Sequence, residues 1–308
     1  MQPERARGLK PRTRARDDAL DEIEVRTDDG VALRGDVREP IGKERAGVAI
    51  LAHAMMARRG EFERAGFAKF LAARGWRTIA FDFRGHGDSG TPAARGGTWT
   101  YDDLVTRDLP AVVAAVRARA KKLPVVVVGH SLGGHVVLAA QGTGRIAADA
   151  IVGLASNVWL RDFEPSRAAW LMKRATMALV RRTCERRGYF PARVLRMGSD
   201  DEASAYFAAL VRATEENQWR SDDGVDYKAA LANVTIPVLS LASDGDLLNC
   251  RPICAERFHS LCAGPRRFER IRRADDGGRA PGHMEIVTTD RAQSAWARTE
   301  AWMRDATR

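Results

Sequence analysis

The stretch 124–134, PVVVVGHSLGG, joins a short apolar strand to a serine that stands between glycines. Four consecutive valines after a proline are typical of a strand covered on both faces of a sheet, because β-branched side chains suit that environment. The G-x-S-x-G sequence that follows leads into helical sequence, so Ser131 is predicted on a sharp strand-to-helix turn with its hydroxyl exposed. Gly129 and Gly133 are needed there, since larger side chains would collide with neighbouring backbone.

Apolar strands alternate with amphipathic helices on both sides of this stretch. The predicted strands cover 22–27, 31–37, 47–52, 77–83, 124–128, 148–155, 237–241 and 267–271. The predicted helices cover 61–74, 101–122, 132–140, 166–187, 251–261 and 290–304. An Asp-Gly turn at 28–30 predicts a hairpin between the first two strands. The alternation predicts an α/β fold with a mostly parallel sheet and helices on both faces, entered by an antiparallel hairpin.

The chain of 308 residues is long enough for one large domain that carries an insertion. The alternation of strands and helices stops over 156–225, which holds no clear strand and is rich in Trp, Met and Arg. We predict that this segment is a mainly helical cap insertion above the carboxyl ends of the strands, where ligands bind. The core would then comprise 21–155 and 226–308, and 1–20 would be a basic, disordered tail.

The net charge of +10 raises the question of a nucleic-acid or membrane partner. Part of this charge lies in the tail, the chain is rich in Ala and Arg throughout, and it carries no nucleic-acid-binding motif. We therefore predict no nucleic-acid partner. Lys173-Arg174 and Arg181-Arg182 predict a solvated helix face, with contact to a lipid surface or an acidic substrate as the alternative.

The apolar runs are too short to cross a bilayer, which takes about 18 residues, and the N-terminus lacks the apolar core of a signal peptide. We therefore predict a cytoplasmic protein without a transmembrane segment. The cysteines are Cys184, Cys250, Cys254 and Cys262, and they are predicted to be reduced, partly buried thiols. Three of them cluster with His259, so a metal site is the alternative, but Cys250 and Cys254 also suit one face of an ordinary helix. We predict no metal.

A serine hydroxyl needs a general base to become a nucleophile, and the base needs an anion that fixes its tautomer. The candidates follow the later strands: Asp246 in the sequence SDGD, and His283 in the sequence PGHM. Asp244 is the alternative acid, and either aspartate could be a turn former beside a glycine. The alignment of the strand favours Asp246. The chain order Ser131, Asp246, His283 is that of α/β-hydrolases and not of other serine-hydrolase folds.

From residue 22 to the C-terminus the chain resembles the α/β-hydrolase superfamily. The resemblance rests on HAM at 53–55, DFRGHGDS at 82–89, the turn around Ser131, PVL at 237–239 ahead of Asp246, and GH at 282–283. It implies an eight-stranded, mostly parallel sheet with helices on both faces. In addition, the segment 188–198, which begins GYFP, resembles a group of bacterial α/β-hydrolases whose substrates are not established.

The resemblance also implies an oxyanion hole made by the backbone N–H groups of Leu132 and Met55. Each such donor contributes roughly a hundred- to a thousandfold in rate. The superfamily usually has His-Gly where this chain has His53-Ala54, and the extra methyl is expected to constrain the loop or the acyl pocket. The histidines expected to bond loop backbone near the site are His53, His86 and His130.

The implied chemistry is acyl transfer, in which Ser131 attacks a carbonyl, His283 takes its proton and Asp246 orients His283. It requires no metal or organic cofactor. The apolar residues of the cap insertion favour a small-molecule carboxylic ester with an apolar acyl or alcohol part. An amidase or peptidase, a thioesterase or an acyltransferase would use the same residues. A noncatalytic binding protein on the same fold is a further alternative, which the presence of all three residues opposes.

Overall fold

The computed structural model describes residues 20–42, 45–272 and 278–308. Its strands are β1 (Asp21–Arg26), β2 (Ala32–Arg38), β3 (Gly47–Ala52), β4 (Trp76–Phe81), β5 (Val125–His130), β6 (Ala150–Leu154), β7 (Tyr189–Phe190), β8 (Glu202–Ala203), β9 (Val238–Ser243) and β10 (Arg266–Ile271). Its α-helices are α1 (Glu61–Arg64), α2 (Phe67–Ala72), α3 (Tyr101–Asp103), α4 (Leu109–Ala120), α5 (Leu132–Gly142), α6 (Arg167–Arg187), α7 (Ser204–Glu216), α8 (Tyr227–Ala230), α9 (Pro252–His259), α10 (Glu285–Thr288) and α11 (Gln293–Ala306). Residues 1–19 of the predicted tail lie outside the described residues.

Eight of these strands form one sheet, in the order β1-β2-β4-β3-β5-β6-β9-β10. β1 and β2 form an antiparallel hairpin, and β2 is also antiparallel to β4. The remaining neighbours in the sheet are parallel. The hairpin turns at Gly30, whose φ of 87° lies in the left-handed region that glycine adopts without strain. The predicted eight-stranded, mostly parallel sheet of an α/β-hydrolase fold is confirmed.

The four valines of β5 supply both hydrophobic cores of the molecule. Val125 and Val127 belong to the core that includes residues of α4 and α5. Val126 and Val128 belong to the core that includes residues of α2 and α11. All four side chains are completely buried, and each stabilises the fold by about 1.5 kcal/mol or more. The alternation of side chains along a strand therefore explains why an unbroken apolar run is needed at the centre of the sheet.

Two predicted helices are interrupted in the structure. The helix predicted at 61–74 is divided into α1 and α2, because Gly66 between them adopts a left-handed φ of 88°. The helix predicted at 101–122 contains a π-helical segment, Leu104–Asp108, between α3 and α4. Hydrophobic periodicity averages over several turns, so it does not detect a break or a widening of one turn.

The segment between β6 and α8 contains α6, α7 and a small antiparallel hairpin made by β7 and β8. The two helices pack against each other, as a mainly helical cap insertion requires. The sequence showed no clear strand in 156–225, and the structure adds the short strands β7 and β8 there. Each has only two residues, which is too short for a period-two pattern to be visible in the sequence.

The predicted solvated face of α6 is wrong at one position. Arg174, Arg181 and Arg182 are exposed, but Lys173 is completely buried. Its ammonium donates a hydrogen bond to Glu164 at 3.0 Å, and this pairing compensates the loss of hydration. Glu164 lies before the helix, nine residues earlier, so helical spacing gave no sign of the pair.

The cysteines Cys184, Cys250, Cys254 and Cys262 are free, buried thiols. Cys250 precedes α9 while Cys254 lies within it, so the two do not share one helix face. Among the described residues, no group of His, Cys, Asp and Glu is arranged to hold a metal ion. In the same residues, no helix combines the length and the apolar character needed to cross a membrane.

The packing of β5 on α5 gives a prediction about stability. A Cβ at Gly129 would lie 2.3 Å from the backbone nitrogen of Gly134, whereas a Cβ at Gly60 would meet no heavy atom within 4 Å. We expect Gly129→Ala to destabilise the protein by about 3 kcal/mol or more, or to prevent folding. Gly60→Ala, at a φ of −62°, should leave stability unchanged or raise it by up to about 1 kcal/mol. Urea unfolding measures both, and equal stabilities would contradict this packing.

Candidate active site

Ser131 stands at the turn between β5 and α5 with a φ of 50° and a ψ of −112°. A positive φ is strained for a residue other than glycine and persists only where its surroundings hold it. The Ser131 N–H donates to the Leu154 carbonyl at 2.9 Å, and the Ser131 carbonyl accepts from the Ser156 hydroxyl at 2.9 Å. A Cβ at Gly133 would lie 2.1 Å from the Ala52 carbonyl oxygen. Neighbouring strands and close backbone contacts thus hold the predicted turn.

His283 lies just before α10 and connects the other two predicted residues. Its Nε2 is 2.8 Å from the Ser131 hydroxyl oxygen, and its Nδ1 is 2.5 Å from Oδ2 of Asp246. This is the arrangement in which an imidazole can accept a proton from the hydroxyl while the carboxylate holds the ring in one tautomer. The structure therefore brings the three predicted residues into one hydrogen-bonded chain.

Asp246 is buried, and backbone N–H groups bind both of its carboxylate oxygens. Asn249 donates to Oδ1 and Cys250 donates to Oδ2, each at 2.9 Å. Burial by itself would raise the pKa of Asp246, but the hydrogen bond from His283 and these two N–H groups outweigh it and lower the pKa below 3.8. The carboxyl group is consequently an anion at neutral pH, as a partner of an imidazolium must be.

Asp244, the alternative acid, points elsewhere. Its Oδ1 accepts a hydrogen bond from Arg270 at 2.6 Å. Gly245 permits the loop that carries His283 to approach, because a Cβ there would lie 2.3 Å from the Ala280 carbonyl oxygen. The sharp turn after β9 is therefore what directs Asp246, and not Asp244, toward His283.

The two predicted oxyanion donors both lie next to Ser131. Leu132 is the first residue of α5, where the N–H has no acceptor within the helix. Met55 lines the same cavity as Ser131, and within the described residues its N–H has no hydrogen-bond acceptor. The next N–H along the loop, that of Met56, is occupied by Glu202 Oε1 at 2.7 Å. Of these two loop N–H groups, the one free to bind an oxyanion is therefore that of Met55.

Ala54, which stands where the superfamily usually has glycine, lies in a loop that is held by hydrogen bonds. The Ala54 N–H donates to Glu61 at 2.9 Å, and the Ala54 carbonyl lies 2.7 Å from His53 Nδ1. The Phe83 N–H donates to His53 Nε2 at 3.0 Å, so Nδ1 is the ring nitrogen that carries the proton. Burial and the nearby His86 lower the pKa of His53 to about 3. His53 is thus a neutral residue that ties the loop after β3 to the end of β4.

His130 holds the backbone of the loop that carries His283. Its Nε2 is 3.1 Å from the His283 carbonyl oxygen, and its Nδ1 is 3.1 Å from Glu61 Oε1. Burial by itself would lower the pKa of His130, but the Glu61 carboxylate outweighs it and raises the pKa above 6.5. The same carboxylate binds the Ala54 N–H, so Glu61 joins the two loops that flank Ser131.

A cavity of about 250 Å³ lies above Ser131 and His283. Its wall comes from the loop after β3, from α5, from the segment after β6, and from both helices of the cap insertion. The apolar lining residues of the cap segment are Val158, Trp159, Met177, Val180, Phe190, Met197, Phe207 and Leu210. The uncharged polar lining residues are His135, Asn157, Thr176, Thr214 and Asn249. Such a wall can hold an apolar group directly beside the hydroxyl.

Two residues of the site had no role in the sequence-based prediction. His135 lines the cavity, and burial lowers its pKa to about 3, so it is a neutral polar group bonded to Tyr101 at 2.9 Å. It lies four residues after Ser131, in the first turn of the helix that follows the nucleophile turn, which is a signal the sequence did contain. Glu202 is completely buried and reaches the loop after β3 from the cap insertion. No local pattern connects positions so far apart in the chain.

In sequence, the chain matches one family model over most of its length and individual proteins over short segments. The model of the family described as Serine aminopeptidase, S33 matches residues 43–249. Lysophosphatidylserine lipase ABHD12 of Rattus norvegicus is 38% identical over 87 residues, which cover 28% of this chain and 20% of that protein. Non-heme haloperoxidase of Rhodococcus erythropolis is 42% identical over 87 residues, which cover 27% and 29%. The chain therefore spans well under two thirds of the length of these relatives.

Solved structures share the fold over almost the whole chain. A soluble variant of monoglyceride lipase from Saccharomyces cerevisiae, in complex with a substrate analog, aligns with a TM-score of 0.69 at 17% identity, over 94% of this chain and 97% of that chain. The DcsB complex with its substrate analogue aligns with a TM-score of 0.63 at 17% identity, over 94% and 99%. At these identities the likeness concerns the fold.

The pair of His86 and Glu202 predicts a stability that depends on pH. Burial by itself would lower the pKa of His86, but the Glu202 carboxylate 3.1 Å away outweighs it, with Asp200 assisting, and raises the pKa from 6.5 to about 9. Because the pKa of His86 is raised in the folded protein, the ion pair of His86 and Glu202 adds to the free energy of unfolding. This contribution is complete below about pH 6.5 and is lost as the pH rises through about 9. We expect the unfolding temperature to fall by a few degrees over that interval.

Calorimetry of His86→Gln across the same pH range is the control, because glutamine keeps hydrogen-bonding groups but does not titrate. The variant should unfold at a lower temperature at neutral pH and should lack this part of the decline. An identical pH dependence in both proteins would contradict the assignment to His86.

Proposed function

The chain belongs to the α/β-hydrolase family described as serine aminopeptidase S33, and from that premise we propose that it is a serine hydrolase cleaving a small carboxylic ester with an apolar moiety. The observation that carries the proposal is the hydrogen-bonded chain from Asp246 through His283 to the Ser131 hydroxyl. Ser131, at the end of this series of hydrogen bonds, lines a cavity with a largely apolar wall.

In the proposed first step the Ser131 hydroxyl oxygen attacks the ester carbonyl carbon, and His283 Nε2 accepts the proton. Asp246 stabilises the resulting imidazolium and keeps the ring oriented. The negative charge that develops on the carbonyl oxygen is stabilised by the N–H groups of Leu132 and Met55. These donors are in place before the reaction, so they need no reorganisation when the charge appears.

The tetrahedral intermediate then loses its alcohol, which takes the proton from His283. The acyl group remains on Ser131 until a water molecule, deprotonated by His283, attacks it. His283 then gives this proton to the Ser131 oxygen as the acid is released. The same groups act in both halves of the cycle, and the free enzyme is restored with a neutral imidazole.

The lining of the cavity supports an uncharged, apolar substrate. A volume of about 250 Å³ lies near the lower end for ligand sites, which favours an acyl or alcohol part of modest size. Met197 and Met284 line the cavity and are 54% and 38% exposed, so the opening is itself apolar. An ester substrate also agrees with the partial sequence relative that is a lysophosphatidylserine lipase and with the structural neighbour that is a monoglyceride lipase.

Cleavage of an amide at a peptide N-terminus is the second candidate, since the family description names an aminopeptidase. An enzyme of that kind needs a carboxylate to bind the substrate's ammonium group. Among the described residues that line the cavity, none is Asp or Glu. The ester is therefore the better fit, and thioesters and alcohol acceptors remain alternatives for the same residues.

A panel of aryl esters with acyl chains of increasing length tests the proposal. We expect turnover that peaks at a short or medium chain, labelling of Ser131 by a fluorophosphonate probe, and a loss of at least about 10⁴-fold in Ser131→Ala. Matched amide, thioester and alcohol-acceptor reactions in the same assay separate the alternatives. The esterase proposal fails if no ester is turned over, or if Ser131→Ala is as active as the wild type.

The two aspartates after β9 provide an internal comparison. Asp246→Asn should lower kcat by about 10⁴-fold, because an amide at this position favours the wrong tautomer of His283. Asp244→Asn should stay within about threefold of the wild type, since it loses an exposed ion pair with Arg270 that contributes about 0–1 kcal/mol. Steady-state kinetics on the folded variants measures both kcat values. Equal losses of kcat would contradict the assignment of the orienting role to Asp246.

A further inference from the structure

The loop after β3 adopts a conformation that needs external support. Met56 has a φ of 58°, a left-handed backbone conformation that is strained for a residue other than glycine. Inside the loop, the Ala57 N–H donates to the Ala54 carbonyl at 3.2 Å. One long hydrogen bond is insufficient to fix the peptide groups on either side of Met56, and it is the orientation of these groups that decides where the Met55 N–H points.

The missing support comes from residues of the cap insertion. The Met56 N–H donates to Glu202 Oε1 at 2.7 Å. The Met56 carbonyl accepts from the Ser199 N–H at 2.8 Å and from the Asp200 N–H at 3.2 Å. Both polar backbone groups of Met56 are thus bound by a segment that lies more than 140 residues away in the chain.

The segment 198–202 also fits the loop closely. A Cβ at Gly198 would lie 2.2 Å from the Met56 carbonyl oxygen, so a side chain there would push the two segments apart. Arg58 binds both carboxylate oxygens of Asp200, at 2.7 and 2.8 Å. The contact therefore combines backbone hydrogen bonds, a two-point ion pair and direct van der Waals packing.

The carboxylate of Glu202 lies in a buried environment beside the loop. It is completely buried, and its Oε2 has no hydrogen-bond partner among the described residues. Its Oε1 lies 3.1 Å from His86 Nε2, which supplies the positive charge that a buried carboxylate requires. The carboxylate of Glu202 is therefore held at the loop by His86 as well as by the Met56 N–H.

We propose that Glu202 is a positioning residue for the oxyanion hole. By holding Met56, it fixes the loop so that the Met55 N–H remains the free donor beside Ser131. The hole is then complete only while the segment 198–202 is docked on the loop, so this segment positions an oxyanion donor, while other residues of the cap insertion form a wall of the cavity. This inference rests on the proposed function.

The oxyanion hole acts on the charge that develops in the transition state, so its disturbance should lower kcat and leave KM almost unchanged. We expect Glu202→Ala to lower kcat for the best aryl ester by about 10- to 100-fold, with KM within about threefold. Glu202→Gln retains an oxygen that can accept the Met56 N–H and should recover most of the lost kcat.

An alkyl trifluoromethyl ketone gives a readout that a purely structural role would not change. The Ser131 oxygen adds to its carbonyl carbon, His283 takes the proton, and the resulting hemiketal oxyanion occupies the hole. We expect its affinity for Glu202→Ala to fall by the same factor as kcat. Titration with a fluorophosphonate probe counts competent sites, so that a smaller active fraction is not mistaken for a lower kcat.

Glu215→Ala is the matched control, since it removes a carboxylate of the cap insertion that binds Arg181 at 2.6 Å, lies outside the segment 198–202 and does not line the cavity. It should change kcat and ketone affinity by less than about threefold. Should Glu202→Ala fail to fold, Arg58→Ala decides, because Arg58 is a partly exposed residue that binds Asp200. Its kcat and ketone affinity should fall together.

The inference is overturned if folded Glu202→Ala keeps the wild-type kcat, if only KM changes, or if Glu215→Ala causes the same parallel loss. If Glu202→Ala does not fold, an Arg58→Ala variant with the wild-type kcat and ketone affinity also overturns the inference. A failure of the proposed function itself looks different, because the wild-type protein would then turn over no ester.

Discussion

The strained turn at Ser131 is the constraint on which the rest of the structure depends. Its positive φ is maintained because Gly129 and Gly133 let β5, β3 and α5 approach to distances that no side chain would tolerate. This approach in turn requires an apolar strand buried on both faces, which the valines of β5 provide. The same turn exposes the hydroxyl, starts α5 with a free N–H at Leu132, and sets the position that His283 must reach.

Two buried carboxylates hold the backbone around this turn. Glu61, from the core, binds the Ala54 N–H and His130, and His130 contacts the carbonyl of His283. Glu202, from the cap insertion, binds the Met56 N–H and His86. The loop after β3 is therefore held from both sides by an acid with a histidine partner. Asp246 is an anion, as the proposed chemistry requires, because the hydrogen bond from His283 and two backbone N–H groups offset the effect of burial and lower its pKa.

The cap insertion contributes both to the cavity and to the loop after β3. Its helices supply much of the apolar wall of the cavity, while Glu202 and its neighbours contact the loop of the proposed oxyanion hole. Within it, Lys173 forms a buried pair with Glu164, where a solvated helix face had been predicted. Glu164 also binds Arg251 and Cys254 of the core. Substrate preference and the geometry of the loop after β3 are consequently linked through one segment of chain.

The sequence by itself determined the sheet, its helical layers and the place of Ser131, because local apolar periodicity and glycine spacing are properties of neighbouring residues. It also placed Asp246 and His283 at strand ends in the right order, but left Asp244 open as the acid. Tertiary structure decided which aspartate contacts His283, through the turn at 244–246, and it alone revealed the burial of Lys173 and the contact of Glu202 with Met56. These contacts join segments far apart in the chain, and their energies depend on packing and burial that no local pattern encodes.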